Sequence, residues 1–403
     1  MRNLILSVLG GAILLTSACK SPEPLLQAEA EPEEAAPEVR ALWVARMSYK
    51  TPDDVRAIVR NAADAHFNVV VFQVRGNATV FYPSELEPWA WELTGEDPSA
   101  LGTDPGWDPL QLACDEARAR GLQLHAWVNV FPAWRETVPP PETADQLWNT
   151  HRDWFMRNPE GEVMWPQDWW TYWYAFLDPG VPEVKQHLHD VFLEIVRNYP
   201  VDGLHYDYVR YPSEVGDWAY NPTSLERFAE VYKDYDDPTP SRYPIQWAEW
   251  KRTQITEIVE SVYRDAKALK PGLDITASVI HDWPRGHNDY GQDARRWLAR
   301  GILDGTMPML YGFSPADFEF AARDHVQHAY GRRVVPGLNV GRTTVDEMVE
   351  LIEVSRELGA PGVALFSYGA LFPDHAPGDK AAALRDGPFA RPVKLPHARL
   401  SVP

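Results

Sequence analysis

Eight short apolar runs rich in β-branched and aromatic residues recur along this chain, each separated from the next by an amphipathic helical pattern. The candidate strands are Arg40–Arg46, Asn68–Val74, Gln123–Val130, Gly203–Val209, Asp274–Ile280, Gly305–Leu310, Arg333–Leu338 and Gly362–Ser367. Strands alternating with helices indicate βαβ units and a parallel sheet. Helix starts are marked clearly. Thr51-Pro52-Asp53-Asp54 offers an N-cap, a proline at the first helical position and acids in the first turn, and Asp108-Pro109 repeats the pattern before Leu110–Arg120, which stops at Gly121. Pro182–Arg197, Pro244–Leu269, Asp289–Arg300, Pro315–Tyr330 and Thr344–Leu358 supply the remaining helices. Eight repeats in order predict an α/β fold of the (β/α)8 TIM-barrel type over residues 39–370. No Gly-rich dinucleotide fingerprint follows any strand, which argues against an open doubly wound sheet.

Three connections are much longer than the rest: Gly76–Trp107, Phe131–Gly180 and Tyr211–Tyr243. Each follows a strand, so each projects from the C-terminal face, where barrel enzymes build their sites. The second contains Trp134, Trp148, Trp154, Trp165, Trp169, Trp170 and Trp173. Tryptophan faces stack on sugar rings, so this segment either walls a sugar groove or fills core. Residues 371–403 read as a Pro-rich tail that packs on the barrel or trails from it.

The first residues carry a separate signal. Arg2 precedes an apolar run from Leu4 to Leu15, and Thr16-Ser17-Ala18 leads to Cys19. Residues 1–18 are expected to be a signal peptide, since the run is too short for a comfortable membrane span. Cys19 after Ser-Ala resembles the lipobox of bacterial lipoproteins, which implies a lipidated cysteine and a membrane anchor; cleavage after Ala18 with simple secretion is the alternative. Residues 19–38, rich in Pro, Ala and Glu, read as a disordered acidic tether. The other cysteine, Cys114, is expected to be a small buried apolar residue. The formal net charge of −20 argues against a nucleic-acid partner and otherwise keeps the protein solvated.

Polar residues at strand ends carry the chemistry. The fourth strand runs into His205-Tyr206-Asp207-Tyr208-Val209-Arg210-Tyr211-Pro212, and period-two alternation puts His205 and Asp207 on one side. A buried carboxylate facing a barrel lumen is costly unless paired or used, and Arg75 and Arg210 are candidate partners. The bland reading is a structural Asp–Arg pair at the barrel mouth. Arg75, Trp89, Trp127, Asn129, His205, Arg210, Tyr311 and Asn339 are expected to line a substrate site as donors and stacking faces. His125, His205 and His281 lack the tight spacing of a metal site, so no metal is expected, and no cofactor. No nucleophile elbow supports Ser-His-Asp or Cys-His chemistry.

Several motifs in order extend this reading. They are Leu42-Trp43-Val44-Ala45, Val71-Phe72-Gln73-Val74-Arg75-Gly76, Tyr82-Pro83-Ser84-Glu85-Leu86-Glu87-Pro88-Trp89, Gly121 to Asn129, Asp178 to Val184, Val201 to Tyr208, and Asp304 with Met307 to Tyr311. Together they resemble the bacterial glycosyl-hydrolase-like barrel family that includes divisome-localised peptidoglycan hydrolases. The resemblance implies a hydrolase of the cell envelope acting on a glycan, with peptidoglycan strands as the favoured substrate. Many relatives carry two adjacent acids where this chain has Asp207 and Tyr208. Glycoside hydrolysis normally needs one protonated and one ionised carboxyl group. Asp207 is expected as the ionised member and Asp282, at the end of the neighbouring strand, as the acid. Glu85, Glu87, Asp178 and Asp289 compete, although Asp178 and Asp289 read more simply as helix-start residues. Two other readings stay open: a non-catalytic barrel that binds glycan, and an exported polysaccharide hydrolase of amylase-like mechanism.

Overall fold

The computed structural model describes residues 36–166, 174–213 and 216–396. The expected signal peptide, Cys19, the tether up to residue 35, and Trp169, Trp170 and Trp173 lie outside the described residues.

The strands are β1 Val39–Val44, β2 Val69–Arg75, β3 Gln123–Asn129, β4 Pro132–Trp134, β5 Ala175–Phe176, β6 Gly203–Asp207, β7 Asp274–Val279, β8 Gly305–Pro308, β9 Arg333–Val334, β10 Gly337–Asn339 and β11 Gly362–Phe366. Helices fall between them: α1 Pro52–Asp64, α2 Pro109–Ala119, α3 Leu147–Thr150, α4 Pro182–Asn198, α5 Pro222–Val231, α6 Pro244–Leu269, α7 Trp283–Asn288, α8 Ala294–Arg300, α9 Pro315–Gln327, α10 Val345–Glu357, α11 Tyr368–Leu371 and α12 Asp379–Asp386. The expected caps form. Thr51 and Asp54 make a reciprocal capping box on α1, and the Asp108 carboxylate accepts from the Gln111 N–H on α2. The helix expected from Asp289 starts only at Ala294, because Gly291 turns through φ +63° and separates it from α7.

The large sheet runs β10-β11-β1-β2-β3-β6-β7-β8-β9, and its strand pairs are parallel. Its two ends are halves of one strand. Only Val335 and Pro336 separate β9 from β10, and Pro336 has no N–H to give to a ladder. The Val335 N–H donates to Thr306 O at 2.9 Å and the Ala364 N–H to Pro336 O at 2.9 Å, so the interrupted seventh strand closes the barrel. All eight expected barrel strands are therefore present, the seventh broken by its proline.

Alternation along the strands sorts the core into two layers. Val39, Ala41 and Trp43 of β1 share the barrel interior with Val69, Val71, Trp127, Met307, Val335 and Ala364. Leu42 and Val44 point outward to the helices with Val70, Phe72 and Leu124. Because both faces are covered, the strands read as nearly continuous apolar runs. As far as residue 396 the tail packs on the barrel: Phe389 meets Phe67 edge-on at 5.4 Å, lies 4.3 Å from the Arg40 guanidinium, and the Glu38 N–H donates to Lys394 O at 3.0 Å.

The long connection after β2 is pinned by a buried ion pair. Arg75 Nε and Nη2 meet the Glu87 carboxylate at 2.8 and 2.6 Å, Arg75 Nη1 donates to Val130 O at 3.1 Å, and His187 Nε2 of α4 lies 3.0 Å from Glu87 Oε1. Both side chains of the pair are fully buried. Burial alone would raise the Glu87 carboxyl, but Arg75 and His187 together hold it down at about 2. A depressed carboxyl stabilises the fold above its unfolded value near 4.5, and that contribution disappears as pH falls through about 2. We predict that Glu87→Ala loses about 3–5 kcal/mol in urea unfolding at neutral pH, since it strands a buried guanidinium. A loss below about 1 kcal/mol would show that the pair is not a pin.

Candidate active site

Strand β6 delivers Asp207 to the C-terminal mouth of the barrel, where its backbone pairs with Asn129 of β3. Asp207 is 8% exposed. Immediately after it, Tyr208 adopts φ +52°, in the left-handed region that bulky residues seldom enter. This turn places two donors on one carboxylate oxygen: Oδ1 of Asp207 accepts from the Tyr208 N–H at 2.6 Å and from Arg210 Nη1 at 3.3 Å. The Arg210 guanidinium also lies 4.3 Å from the centre of the Tyr208 ring. Burial pushes the Asp207 carboxyl above its ordinary value, and Arg210 with the Tyr208 N–H pulls it back only in part.

A polar row flanks this group. Asn129 Oδ1 accepts from Gln73 Nε2 and from Trp127 Nε1, both at 3.2 Å, and Gln73 Oε1 accepts from the Arg46 N–H at 3.0 Å. Arg46 reaches on to Glu92 at 3.2 Å. Tyr174 and Phe176, beside and within β5, meet the Tyr208 ring edge-on at 5.3 and 6.1 Å. Tyr311 stacks on Phe366 with centroids 5.6 Å apart, and burial, followed by the Asp207 charge, raises its phenol. The site thus joins one buried carboxyl, a guanidinium, amide donors and half-buried aromatic faces.

The expected residues separate into groups. Asp207, Arg210, Asn129, Trp127 and Tyr311 are gathered at the mouth, although Trp127 and Asn129 are themselves buried. Arg75 is not Asp207's partner: it is committed to Glu87, and with no exposed surface it is removed from substrate. His205 is also corrected. It lies inside the barrel, with Nδ1 2.8 Å from Thr276 Oγ1, Nε2 2.9 Å from Ser278 Oγ, and the Trp43 Nε1–H donating to Nε2 at 3.2 Å. Burial pushes its imidazole down to about 3, so it is neutral and structural. Asp282 is an exposed N-cap whose Oδ1 accepts from the Arg285 N–H at 3.0 Å, a position that commits it to α7. Asn339 spends its side chain on the Gly341 N–H at 3.1 Å, and Trp89 packs half-buried against the outer core.

Other candidates resolve in the same way. Trp134 and Trp148 are core, and the Trp134 Nε1–H donates to Val138 O at 2.9 Å. Asp178 is fully buried; its Oδ1 accepts from the Gly180 N–H at 2.7 Å, Val181 is the N-cap of α4, and burial pushes the carboxyl up to about 6. His125 lies against Gly203 within β3, while His281 meets Phe313 edge-on at 5.1 Å, so the three histidines do not converge. Among the described residues no three His, Cys, Asp or Glu side chains gather to hold a metal ion. Tyr208, Tyr174, Gln73 and Arg46 were not singled out from sequence. Gln73 arrives on β2 and Arg46 directly after β1, whereas the left-handed turn and the folding of the long connection after β3 bring Tyr208 and Tyr174 to the mouth.

A carboxyl raised by burial destabilises the fold once it ionises: the cost is absent below the unfolded carboxylate value and builds as pH rises through the folded one. Asp207→Asn is therefore predicted to melt at a higher temperature than the native chain at neutral pH, with the gap closing in acid. Thermal melts that place the variant lower at neutral pH would contradict this assignment.

Comparison with known proteins bears on the family and the fold. Residues 38–337 match the family described as glycosyl hydrolase-like 10. The chain is 30% identical over 269 residues to glycosyl hydrolase DigH of Escherichia coli strain K12, covering 60% of this chain and 54% of that protein. It is 24% identical over 318 residues to glycosyl hydrolase YngK of Bacillus subtilis strain 168, covering 71% and 57%. The chain thus spans about half the length of the curated relatives it matches. The PgaB (BpsB) glycoside hydrolase domain of Bordetella bronchiseptica shares the fold with a TM-score of 0.62 at 15% identity, over 87% of this chain and 98% of that one. On the match across most of its described barrel, the chain belongs to the glycosyl hydrolase-like 10 family.

Proposed function

We propose that this protein is a glycoside hydrolase of the bacterial cell envelope and that Asp207 is one of its catalytic carboxyl groups. The observation that carries the reading is a buried carboxyl, raised by desolvation, at the C-terminal end of the fourth barrel strand. The direction of that shift suits a proton donor better than the ionised role first expected for Asp207. As donor, Asp207 protonates the glycosidic oxygen while the bond to the anomeric carbon breaks, and a water molecule supplies the new oxygen on that carbon and the proton that restores the carboxyl. Arg210, already on Oδ1, then stabilises the carboxylate that remains. The half-buried Tyr311 and Phe366 offer aromatic faces for a sugar ring. Family membership and the relatives' names as glycosyl hydrolases support the same reaction class. Peptidoglycan strands are the substrate to which the family resemblance points.

One observation favours a second reading, a barrel that binds glycan without cleaving it. Among the described residues, Arg210 is the charged side chain that acts on Asp207, and no second carboxylate does; Asp168 and Glu214 lie outside the described residues. A reducing-end assay on denuded peptidoglycan and a polysaccharide panel separates the two. We predict cleavage by the native chain and a loss of about 10²- to 10⁴-fold in Asp207→Asn, the usual contribution of a positioned acid or base. Binding without any cleavage by the native chain would establish the second reading instead. We propose in addition that Cys19 carries a lipid anchor. Cys19→Ser then moves the protein from the membrane to the soluble fraction, and an unchanged distribution would refute the anchor.

A further inference from the structure

The left-handed turn at Tyr208 needs a reason. An extended continuation of β6 would alternate faces, with Tyr208 pointing away from the lumen. Instead the backbone reverses at φ +52°. Its own N–H lands on Asp207 Oδ1, and the chain brings Arg210 back onto the same oxygen. The Tyr208 ring lies beside the Arg210 guanidinium at 4.3 Å, while Tyr174 and Phe176 fix the ring from its edges. Neither described donor reaches Oδ2. Strain that persists in a bulky residue beside a buried carboxyl marks a position held for function.

We propose that Tyr208 is a positioning residue: its left-handed backbone and its ring hold the Arg210 guanidinium on Asp207 Oδ1, so that Oδ2 is the oxygen presented to a glycan. The inference rests on Asp207 being the catalytic carboxyl. Tyr208 acts through Arg210 and Asp207 and need not touch the sugar. The groups facing Asp207 are Arg210 and Tyr208 on its own segment, Tyr311 after β8, and Asn129 on β3. Arg46 and Tyr174 in turn act on Tyr208.

The test is the titration of Asp207 itself, followed by carboxyl carbon NMR in labelled full-length protein, with Asp207→Asn providing the assignment. This readout does not depend on turnover, so absence of hydrolysis would defeat the proposed function and leave the clamp measurable. Arg210→Gln is expected to raise the Asp207 pKa by about one unit, the usual effect of removing an adjacent opposite charge. Tyr208→Gly keeps the turn but removes the ring, and is expected to raise it in the same direction, while Tyr208→Phe leaves it at the native value. Where cleavage is measurable, Tyr208→Gly lowers kcat more than it raises KM. Tyr208→Asn, which also tolerates the left-handed region, replaces the glycine variant if that one unfolds. Native titration in folded Tyr208→Gly or Tyr208→Asn would overturn the role of the ring, and native titration in Arg210→Gln would overturn the clamp as a whole.

Discussion

The site is organised around the cost of keeping a carboxylate out of water at the end of a parallel strand. Asp207 carries that cost at the barrel mouth, and its compensation is partial: one backbone N–H and one guanidinium, both on Oδ1. Full compensation would produce a structural ion pair, and the molecule contains one for comparison. Glu87, with Arg75 on both oxygens and His187 on one, is held down at about 2. Asp207 moves the other way, although both carboxylates are buried and each has an arginine. The number and alignment of donors, rather than the presence of a partner, sets the direction in which a buried carboxyl moves.

The scaffold makes this partial compensation possible. Barrel closure through the interrupted seventh strand sets the ring of strand ends, and the lumen below Asp207 is filled by Trp43, His205, Thr276 and Ser278. These groups satisfy one another, so they leave Asp207 uncompensated from beneath. Above the mouth, the long connection after β3 returns through β4 and β5 and sets Tyr174 and Phe176 against Tyr208. A left-handed tyrosine costs roughly 1–3 kcal/mol, and that strain persists because these contacts over-determine its position.

Much of the fold was legible because its signals are periodic and local. Each expected strand coincides with an observed one within a few residues, since parallel strands buried on both faces must be apolar throughout. The break in the seventh strand follows from Pro336 alone. Asp207 was legible because it is a lone acid on the lumen side of an apolar strand. Its surroundings were less so. Arg75 and Arg210 look equivalent in sequence, and the loop carrying Glu87 decides between them. Asp282 follows a strand and precedes Pro284, so the same residue reads as a strand-end acid or a helix cap; its bond to the Arg285 N–H decides for the cap. The turn at Tyr208 has no signal in tyrosine's intrinsic preferences, because packing rather than propensity holds it.

Chemistry is proposed to occur at Asp207 and not elsewhere on the molecule. A surface groove of about 640 Å³, lined by Pro83, Ser84, Glu85, Glu194 and Arg197 among others, offers a competing location for a glycan. A crystal structure of Asp207→Asn with a bound oligosaccharide decides between them. A glycosidic oxygen is expected within about 3 Å of the residue 207 side chain, the distance a proton transfer requires. A sugar chain seated in the groove beside Glu194, with the barrel mouth empty, would contradict it.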